Sequence, residues 1–400
     1  MNRTPHIPPV AITAYQCVSA AGDNLNALHA ALLANRNCLR PLRLFELPFE
    51  TVVGEVSTSL PAVRSTLQTY ACRNARLALH ALNQGNIRAA TEQAIARHGA
   101  ARVGVVLGTS TSGIYETEIA YQALLRDAAM PSDFNFLHTH TAQASAEFLR
   151  HELGLRGPCY SISTACSSSA KALGAAQRLL VADVCDAVLV AGVDSLCRLT
   201  LFGFNSLQLI SPDACRPMDI QRSGINIGEA AALLLLERPD PGNTESPRLL
   251  AVGEGSDAHH MSAPHPEGLG AAAAMRQALQ LADRRPEQID YINLHATASI
   301  LNDLSEAKAV RRVFRNPPPC AGVKGLLGHT LGAAGAVEVA ISLLALDKGF
   351  LPGNCGLRQA DPQCALPIVA EPNLNHQPRL ILSNAFGFGG NNASVLLEAA

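Results

Sequence analysis

The chain contains 400 residues, 48% of them hydrophobic and 16% charged, and its formal net charge is −2 at pH 7. A chain of this length can bury a large core and is expected to form two domains, or one fold built from two similar halves. The small net charge excludes a general attraction to nucleic acid or to an anionic membrane, but not a local basic patch.

The eleven cysteines are typical of a protein in a reducing compartment. None of them form a C-x-x-C pair and their number is odd, so the sequence predicts neither a disulfide framework nor a zinc site. Residues 9–21 hold no long apolar run, and we interpret their beginning as a first strand and not as a signal peptide. The apolar run 230–236 is far shorter than the roughly 20 residues that span a bilayer. We therefore expect a soluble, cytoplasmic protein.

Apolar runs and helical spacing predict alternating strands and helices in the first half of the chain. Strands are predicted at 9–16, 102–108, 186–194 and 229–237, with a short strand from 160 that ends before Cys166. Helices are predicted at 24–35, 64–83, 89–98, 115–127, 142–153 and from near Cys166 to 182. The segment 201–228 is predicted to be irregular.

Residues 239–247 have the composition of a linker. We place the boundary between two domains there, with residues 1–242 in the first and 243–400 in the second. The second half repeats the alternation of the first. Strands are predicted at 249–254, 289–294, 321–324, 368–370, 379–384 and 393–398. Helices are predicted at 268–282, at 303–314 and in a stretch that ends near 346.

Two segments indicate an internal duplication. Residues 158–176 and 319–337 share one plan: a short strand, a loop of small residues, one reactive side chain and an Ala/Gly-rich helix. If the halves are duplicates, Cys166 and His329 hold equivalent places and face each other across a pseudo-twofold axis. Helix packing by Ala and Gly alone is the other explanation of the likeness.

Cys166 stands where the strand gives way to the Ala-rich helix. The positive end of a helix dipole and free backbone N–H groups favour a thiolate and a bound oxyanion, which suits a nucleophile. The alternative is a buried cysteine that packs as a small hydrophobe.

Two of the thirteen histidines, His295 and His329, resemble site residues. Each follows an apolar strand and enters a loop of small residues, where open α/β sheets present side chains to ligands. The histidines of polar loops are interpreted as surface or structural residues: His138, His140, His259 and His260. The Gly-rich runs at 325–330 and 387–390 lack the spacing of nucleotide-binding loops.

Four motifs occur in chain order: TACSSS at 164–169, HATASILND at 295–303, KGLLGHTLGAAG at 324–335 and NAFGFGGN at 384–391. Together with RPMD at 216–219 and DAHHMSAP at 257–264, they resemble the elongating β-ketoacyl-acyl carrier protein synthases of the thiolase superfamily. The likeness runs from about Pro9 to the C-terminus. It implies an α/β thiolase-like fold, in which duplicated βαβαβαββ halves form five layers, α-β-α-β-α.

The resemblance also implies an activity, a decarboxylative condensation of an acyl chain with malonyl-acyl carrier protein. Cys166 matches the nucleophile that takes the acyl chain. His295 and His329 match the pair that assists decarboxylation and stabilises the enolate oxygen. Lys324 matches the lysine near the second histidine, where a cation keeps that imidazole neutral. No cofactor or metal is expected, because the phosphopantetheine arrives on the carrier protein.

Further positions of the site follow from the same likeness. The N–H groups of Cys166 and Phe388 match the oxyanion hole, and Phe388 matches the gate of the acyl pocket. Glu306 matches an acid bonded to the lysine region, and Asp303 matches a loop anchor. Both acids could instead cap the helix that they begin.

The sequence departs from the family pattern in two loops. Ala296 replaces a usual Gly, at a cost of about 1 kcal/mol or more if its φ is positive. Ser299 replaces a common Thr. Ala385 and Asn392 vary the last loop. We expect these changes to affect the shape of the acyl pocket.

Three other classes of protein have to be distinguished from an elongating synthase. A non-catalytic chain-length-factor-like subunit is expected to lack the nucleophile. An initiating synthase or a thiolase would differ in the lysine-linked histidine and in the last loop. A Cys-dependent hydrolase needs a His–Asn/Asp pair that no motif specifies. Fatty-acid, polyketide and aryl-polyene-type pathways all stay open.

The expected partners are acyl- and malonyl-loaded carrier protein and a second subunit. That subunit forms either a homodimer or a heterodimer with a related synthase or chain-length factor, with the strand at 186–194 at the interface. Candidate residues for carrier docking are Arg36, Arg40, Arg43, Arg64, Arg73, Arg76 and Arg126.

Overall fold

The computed structural model describes residues 6–239 and 245–400. The strands are β1 (Val10–Ser19), β2 (Arg40–Pro41), β3 (Val52–Val53), β4 (Val103–Gly108), β5 (Cys159–Ile162), β6 (Ala187–Asp194), β7 (Ala230–Glu237), β8 (Arg248–Ser256), β9 (Tyr291–Asn293), β10 (Cys320–Ala321), β11 (Leu380–Gly387) and β12 (Asn391–Glu398). The helices are α1 (Leu25–Leu33), α2 (Arg73–Leu82), α3 (Ile87–His98), α4 (Ile114–Asp127), α5 (Phe136–Thr139), α6 (Ala142–Leu153), α7 (Ser168–Val181), α8 (Arg198–Ser206), α9 (Leu269–Leu281), α10 (Ile300–Val313), α11 (Lys324–Leu327) and α12 (Ala334–Lys348). The boundary predicted between residues 242 and 243 lies outside the described residues and stays a prediction.

The main sheet of the described residues has two halves with the same topology. In the order of hydrogen-bonded neighbours, the first half is β5-β4-β6-β7-β1 and the second is β10-β9-β11-β12-β8. In each half the first three strands are parallel and the other pairs are antiparallel. The halves join where β1 pairs with β8, with Val10 opposite Leu249. This strand-for-strand repeat confirms the duplication predicted from the sequence.

Three layers of helices alternate with the two halves of the sheet, which gives five layers in all. α2, α3 and α6 pack on the outer face of the first half, and α9, with α10 behind it, packs on the outer face of the second. α7 and α12 lie between the halves and contact strands of both. The central position of α12 explains why Ala334–Leu346 is buried on all sides. In the part of the chain that the structure describes, no helix is both long and apolar enough to cross a membrane.

Three predicted elements were wrong. The helix predicted at 64–83 is interrupted at Ala71, because Cys72 caps a new helix by accepting the N–H of Ala75 at its sulfur. The segment predicted to be irregular, 201–228, begins inside the helix α8. Leu201 is the one buried residue of α8, so the sequence of this helix shows little apolar periodicity. The strand predicted at 368–370 forms only an isolated bridge between Ile368 and Cys320.

The strand expected at a subunit interface was also wrong. β6 lies between β4 and β7, and all of its residues are buried within one chain. The open edge of the first half is β5 instead. There the side-chain amide of Gln143 donates to the Cys159 carbonyl oxygen at 3.2 Å and accepts the Ser161 N–H at 3.1 Å. Gln143 thus satisfies backbone groups that an edge strand leaves open.

Candidate active site

Cys166 lies on the short connection between β5 and α7. Ala165 has a φ of 52°, a left-handed conformation that turns the chain sharply before the cysteine. The Ala165 carbonyl oxygen accepts the Ser168 N–H at 3.1 Å and the Ser168 hydroxyl at 2.5 Å, which fixes the turn. α7 begins at Ser168 with Ser167 as its N-cap. Cys166 therefore directly precedes the helix, near the positive end of the α7 dipole.

His329 contacts Cys166 across the pseudo-twofold axis. The distance between His329 Nε2 and Cys166 Sγ is 2.9 Å. The His329 backbone is fixed on both sides, since its N–H donates to Asn226 at 2.7 Å and its carbonyl oxygen accepts the Gly228 N–H at 2.9 Å. Because Cys166 follows β5 and His329 follows the equivalent β10, the repeat brings the two side chains face to face.

His295 completes the group from the loop after β9. Its ring lies 5.2 Å from the His329 ring, centroid to centroid, at an interplanar angle of 83°. The sulfur of Cys166 and one ring nitrogen of each histidine all lie within 4.8 Å of one another. All three side chains are buried. Residues far apart in the sequence thus form one compact reactive group.

Lys324 is buried and makes its direct contacts with His295, while its charge also lowers the pKa of His329, as the sequence predicts. Its ammonium group lies 3.3 Å from His295 Nδ1 and donates to the His295 carbonyl oxygen at 2.5 Å. It also forms a buried ion pair with Glu338. Glu338 is not among the predicted site residues, although it is the lone acid in the otherwise uncharged stretch 334–346.

The two supporting acids hold the loop that carries His295. Glu306 accepts the N–H groups of His295 at 2.8 Å and Ala296 at 2.7 Å. Asp303 accepts the N–H of Ala298 at 3.2 Å, which fits the predicted loop anchor. Ser299 is the N-cap of α10, Asp303 lies in the first turn, and Glu306 lies beyond it, so the capping alternative is wrong for Glu306. The predicted bond of Glu306 to the lysine region was wrong too, since Lys324 pairs with another acid.

Burial sets the protonation of the group. It raises the pKa of the Cys166 thiol to about 12, against the smaller opposite effects of Lys324 and of the Phe388 N–H. Burial therefore opposes the thiolate that the start of α7 is expected to favour. Burial, helped by the Lys324 cation, holds the pKa of His295 and of His329 well below the ordinary value. At neutral pH the group is a thiol beside two neutral imidazoles.

The neighbouring Lys324 ammonium group determines the tautomer of His295. An ammonium group at 3.3 Å requires Nδ1 to present its lone pair, so the ring proton is on Nε2. A metal ion would need a free lone pair at Nε2, where this proton sits. Although Cys166, His295 and His329 have the chemistry of zinc ligands, the position of Lys324 therefore disfavours a metal.

A cleft of about 630 Å³, partly open to solvent, leads to the reactive group. Its walls include Phe388 and Phe204, whose rings lie 5.5 Å apart. The Phe388 N–H donates to the sulfur of Cys166. Phe388 is thus placed both to line the entrance and to direct its N–H at the reacting atom.

The departures from the family pattern have structural consequences. Ala296 has a φ of 29° and Ala298 one of 69°, so the loop holds two alanines in the left-handed region. The Ser299 hydroxyl lies 3.0 Å from that of Thr297, and both residues line the cleft. Asn392 bonds Asp257 at 3.0 Å and ties the last loop to the other wall. Ala385 is buried in β11.

The arginines proposed for carrier docking separate into two groups. Arg73 pairs with the fully buried Glu229, and Arg76 donates to the carbonyl oxygens of Leu60 and Pro61. These two arginines hold the fold together and were wrong as docking candidates. The remaining candidates are exposed side chains: Arg36, Arg40, Arg43, Arg64 and Arg126.

Family models match nearly the whole chain. The model described as Beta-ketoacyl synthase, N-terminal domain, matches residues 8–241, and the model described as Beta-ketoacyl synthase, C-terminal domain, matches residues 248–358. The chain belongs to the beta-ketoacyl synthase family. The resemblance seen in the motifs is therefore confirmed, and the thiolase-like fold with it.

Relatives of this synthase are known in sequence and in structure. It is 30% identical to 3-oxoacyl-[acyl-carrier-protein] synthase 2 of Coxiella burnetii, over 97% of this chain and 98% of the relative. It is 32% identical to nodulation protein E of Rhizobium meliloti, over 75% of this chain and 76% of that one. A chain of the ketosynthase (ApeO)–chain length factor (ApeC) complex from Xenorhabdus doucetiae superposes with a TM-score of 0.89, at 39% identity and 98% coverage of both chains.

Proposed function

We propose that this protein is a 3-oxoacyl-acyl carrier protein synthase, an acyltransferase that condenses a Cys166-bound acyl chain with malonyl-carrier protein and releases CO₂. The observation that carries the proposal is the contact of the Cys166 thiol with His329, beside His295, at the end of an open cleft. Such a group can do both acyl transfer and enolate stabilisation, the two halves of the reaction.

In the first step Cys166 takes the acyl chain. The sulfur attacks the thioester carbonyl carbon while its proton passes to the neutral His329 Nε2, 2.9 Å away. The carbonyl oxygen becomes an oxyanion that the N–H groups of Cys166 and Phe388 stabilise. When the new S–C bond is complete, the carrier thiol leaves with the proton held by His329. Because the thiol is buried and protonated at rest, this proton transfer is required for attack.

In the second step the malonyl unit loses CO₂. The electron pair of the breaking C–C bond moves towards the thioester carbonyl and makes an enolate. His295 donates its Nε2 N–H to the developing oxyanion, and Lys324 keeps that proton on Nε2 for this purpose. His329 donates as well in the tautomer that carries its proton on Nε2, which is not the tautomer that accepts the Cys166 proton in the first step. The enolate carbon then attacks the Cys166 thioester. A C–C bond forms, the S–C bond breaks, and the 3-oxoacyl chain leaves on the carrier. Cys166 departs as a thiolate, and uptake of one proton from solvent in the open cleft restores the resting thiol.

A non-catalytic subunit of the chain-length-factor type is the weaker alternative. Such a subunit needs no nucleophile, whereas this chain keeps Cys166 in contact with His329 and a second histidine oriented by Lys324. The intact group supports the catalytic role. Neither an initiating synthase nor a thiolase is favoured by any contact in the site.

The proposed partners follow from the reaction and from the surface. A carrier protein must present the acyl and malonyl thioesters, so we propose no separate cofactor, and we propose the cytoplasm as the location. A second subunit is supported by the open edge of β5 and by a surface that we name the α4–α5 face. Its exposed apolar residues are Ile119, Tyr121, Leu125, Met130, Phe136 and Leu137. The structural relative in the ApeO–ApeC complex favours a chain-length factor as this subunit.

A direct experiment tests the activity. A panel of acyl-carrier proteins that differ in chain length and unsaturation is incubated with the protein, and acylation of Cys166 is followed by intact mass. Condensation is then measured with malonyl-carrier protein, with and without a candidate chain-length factor. Cys166→Ala should abolish both acylation and condensation. Full condensation by this variant would refute the proposal.

A further inference from the structure

Asp194, the last residue of β6, is a fully buried carboxylate that the reaction scheme does not use. It forms no ion pair within the described residues. Instead it accepts hydrogen bonds from two separate segments. The loop after β4 donates the hydroxyls of Thr109 and Thr111 at 2.7 Å each and the N–H groups of Ser110 at 2.8 Å and Thr111 at 2.7 Å. The start of α12 donates the Ala333 N–H at 3.1 Å.

Each of these segments leads to one reactive side chain. On the first side, the Ser110 hydroxyl donates to the Ala165 carbonyl oxygen at 3.3 Å, and Ala165 is the left-handed residue before Cys166. On the second side, Ala333 lies four residues after His329. Between them the chain passes close to the β4 loop at Gly332, where an added Cβ would lie 2.8 Å from the Ser110 nitrogen. Asp194 therefore holds together the two connections that carry Cys166 and His329.

We propose that Asp194 is a positioning residue that sets the distance between Cys166 and His329. The two side chains come from different halves of the duplicated fold, so no single element fixes their 2.9 Å contact. One carboxylate that accepts from both connections provides this link. The consequence for catalysis rests on the proposed function, whereas the link itself does not.

The chemistry of the link explains why an acid is needed. Asp194 accepts from two backbone N–H groups and two hydroxyls of the β4 loop and from one N–H at the start of α12. A carboxylate offers about four acceptor sites for these donors, which is more than the single oxygen of an amide offers. Asparagine can accept at only one oxygen. It therefore leaves buried N–H groups without a partner. The negative charge of the carboxylate makes a small contribution that raises the pKa of two thiols, Cys166 and Cys197, while burial raises the pKa of Asp194 itself. The other charged groups that act on Cys166 are Lys324 and Glu338.

The first test needs no substrate. Alkylation of Cys166 by iodoacetamide is followed against pH by intact mass in the full-length protein and in Asp194→Asn. The variant should alkylate faster at pH 8, and its profile should move to lower pH, because a facing negative charge is gone and the sulfur is less confined. The matched control is Asp290→Asn. That residue also accepts two backbone N–H groups, from Arg379 and Leu380, but lies away from the site. An unchanged profile in Asp194→Asn, or an equal shift in both variants, would overturn the proposal.

The second test asks whether Asp194 acts through His329. Decarboxylation of malonyl-carrier protein is measured in a double-mutant cycle of Asp194→Asn and His329→Ala. Misplacement of a catalytic group by about 1 Å costs up to about 100-fold in rate, so Asp194→Asn should lose about 10- to 100-fold. In the His329→Ala background it should lose less than about twofold, because residues that act together are not additive. Independent, additive losses would overturn the proposal.

Two controls keep the outcome interpretable. If Asp194→Asn fails to fold, Thr109→Val removes one donor to the carboxylate and leaves the rest of the link in place. It should shift the Cys166 alkylation profile in the same direction by a smaller amount, and an unchanged profile counts against the proposal. If the wild-type protein alkylates as expected but never condenses, the proposed function fails and the positioning role of Asp194 stands on the alkylation data.

Discussion

Cys166 shows how burial and a helix dipole compete over one side chain. Its position before α7 favours the thiolate, and the Phe388 N–H and the Lys324 cation act in the same direction. Desolvation outweighs them and raises the pKa of the thiol to about 12. The neutral His329 at 2.9 Å is then what makes attack feasible. The balance of these effects favours the thiol at neutral pH.

The first prediction concerns the pH dependence of this thiol. An acid whose pKa is raised becomes ionised, and reactive, only at higher pH. Alkylation of Cys166 by iodoacetamide should therefore rise through pH 9 without a plateau, beyond the ordinary thiol pKa of about 8.5. Intact-mass measurement between pH 6 and pH 10 checks this. A plateau below pH 7 would mean that a resting thiolate exists after all.

The second prediction concerns the buried Lys324–Glu338 pair. Removal of one partner leaves a buried charge, so Lys324→Met should lower the free energy of unfolding by about 3–5 kcal/mol at pH 8. Burial already raises the pKa of Glu338 to about 7. Stability from such a group is present at low pH and is lost as pH rises through the folded pKa, so the variant should be less impaired at pH 5. Urea denaturation at the two pH values measures the difference.

The exposed pair of Lys308 with Glu267 supplies the control for that experiment. Both side chains are more than one-third exposed. Lys308→Met should therefore change the free energy of unfolding by at most about 1 kcal/mol at either pH. Equal losses in Lys308→Met and Lys324→Met would contradict the assignment.

At the scale of elements, the loop between β9 and α10 stores backbone strain. Ala296 and Ala298 both have positive φ, and Glu306 and Asp303 hold them there through their N–H groups. The buried acids thus offset a conformation that alanine resists by about 1–2 kcal/mol. This arrangement explains how the loop keeps the position of His295 without the glycine that the family usually has.

The third prediction follows from that strain. Ala296→Gly should leave the free energy of unfolding unchanged or raise it by up to about 1 kcal/mol, because glycine adopts positive φ freely. The control is Ala30→Gly on the exposed side of α1, which should lose about 1 kcal/mol. Urea denaturation compares the two. A loss at Ala296 as large as that at Ala30 would show that the loop is not strained.

At the scale of the whole molecule, one surface is unusually apolar for an exposed face. Leu125 and Leu137 of the α4–α5 face are 70% and 69% exposed. β5 is an edge strand of the first half, with no strand of the described chain paired on its other side. Apolar surface of this kind is stabilised by burial against a partner, at roughly 25 cal/mol per Å².

The fourth prediction tests this face as a subunit interface. The double change Leu125→Glu and Leu137→Glu should weaken subunit association at least about tenfold, since charges lose hydration when they are buried in an apolar interface. Light scattering coupled to size exclusion measures the mass, for the protein alone and with a chain-length factor. Leu374→Glu changes a leucine that is 60% exposed elsewhere and should have no effect. An unaltered mass of the double variant would exclude the face.

Local features of this protein are encoded by residues that are close together in the chain. Strands such as β4 and β6 are continuous apolar runs, and the reactive residues follow strands in small-residue loops, so both could be read from adjacent positions. The repeat of one pattern around Cys166 and His329 was enough to predict that they meet. The family could be predicted because each of its motifs is a short run of adjacent residues.

Features that depend on residues far apart in the chain could not be predicted without the folded structure. Lys324 proved to contact His295 and Glu338, and Asp194 to link two connections, because packing of α12 between the halves brings these residues together. The protonation of Cys166 likewise depends on how completely the fold excludes water, which no local pattern records. Arg73 could not be told from a surface arginine until its buried partner Glu229 was located. The apolar periodicity of the sequence predicts helices and strands, whereas the burial of side chains and their ion pairs depend on the complete fold.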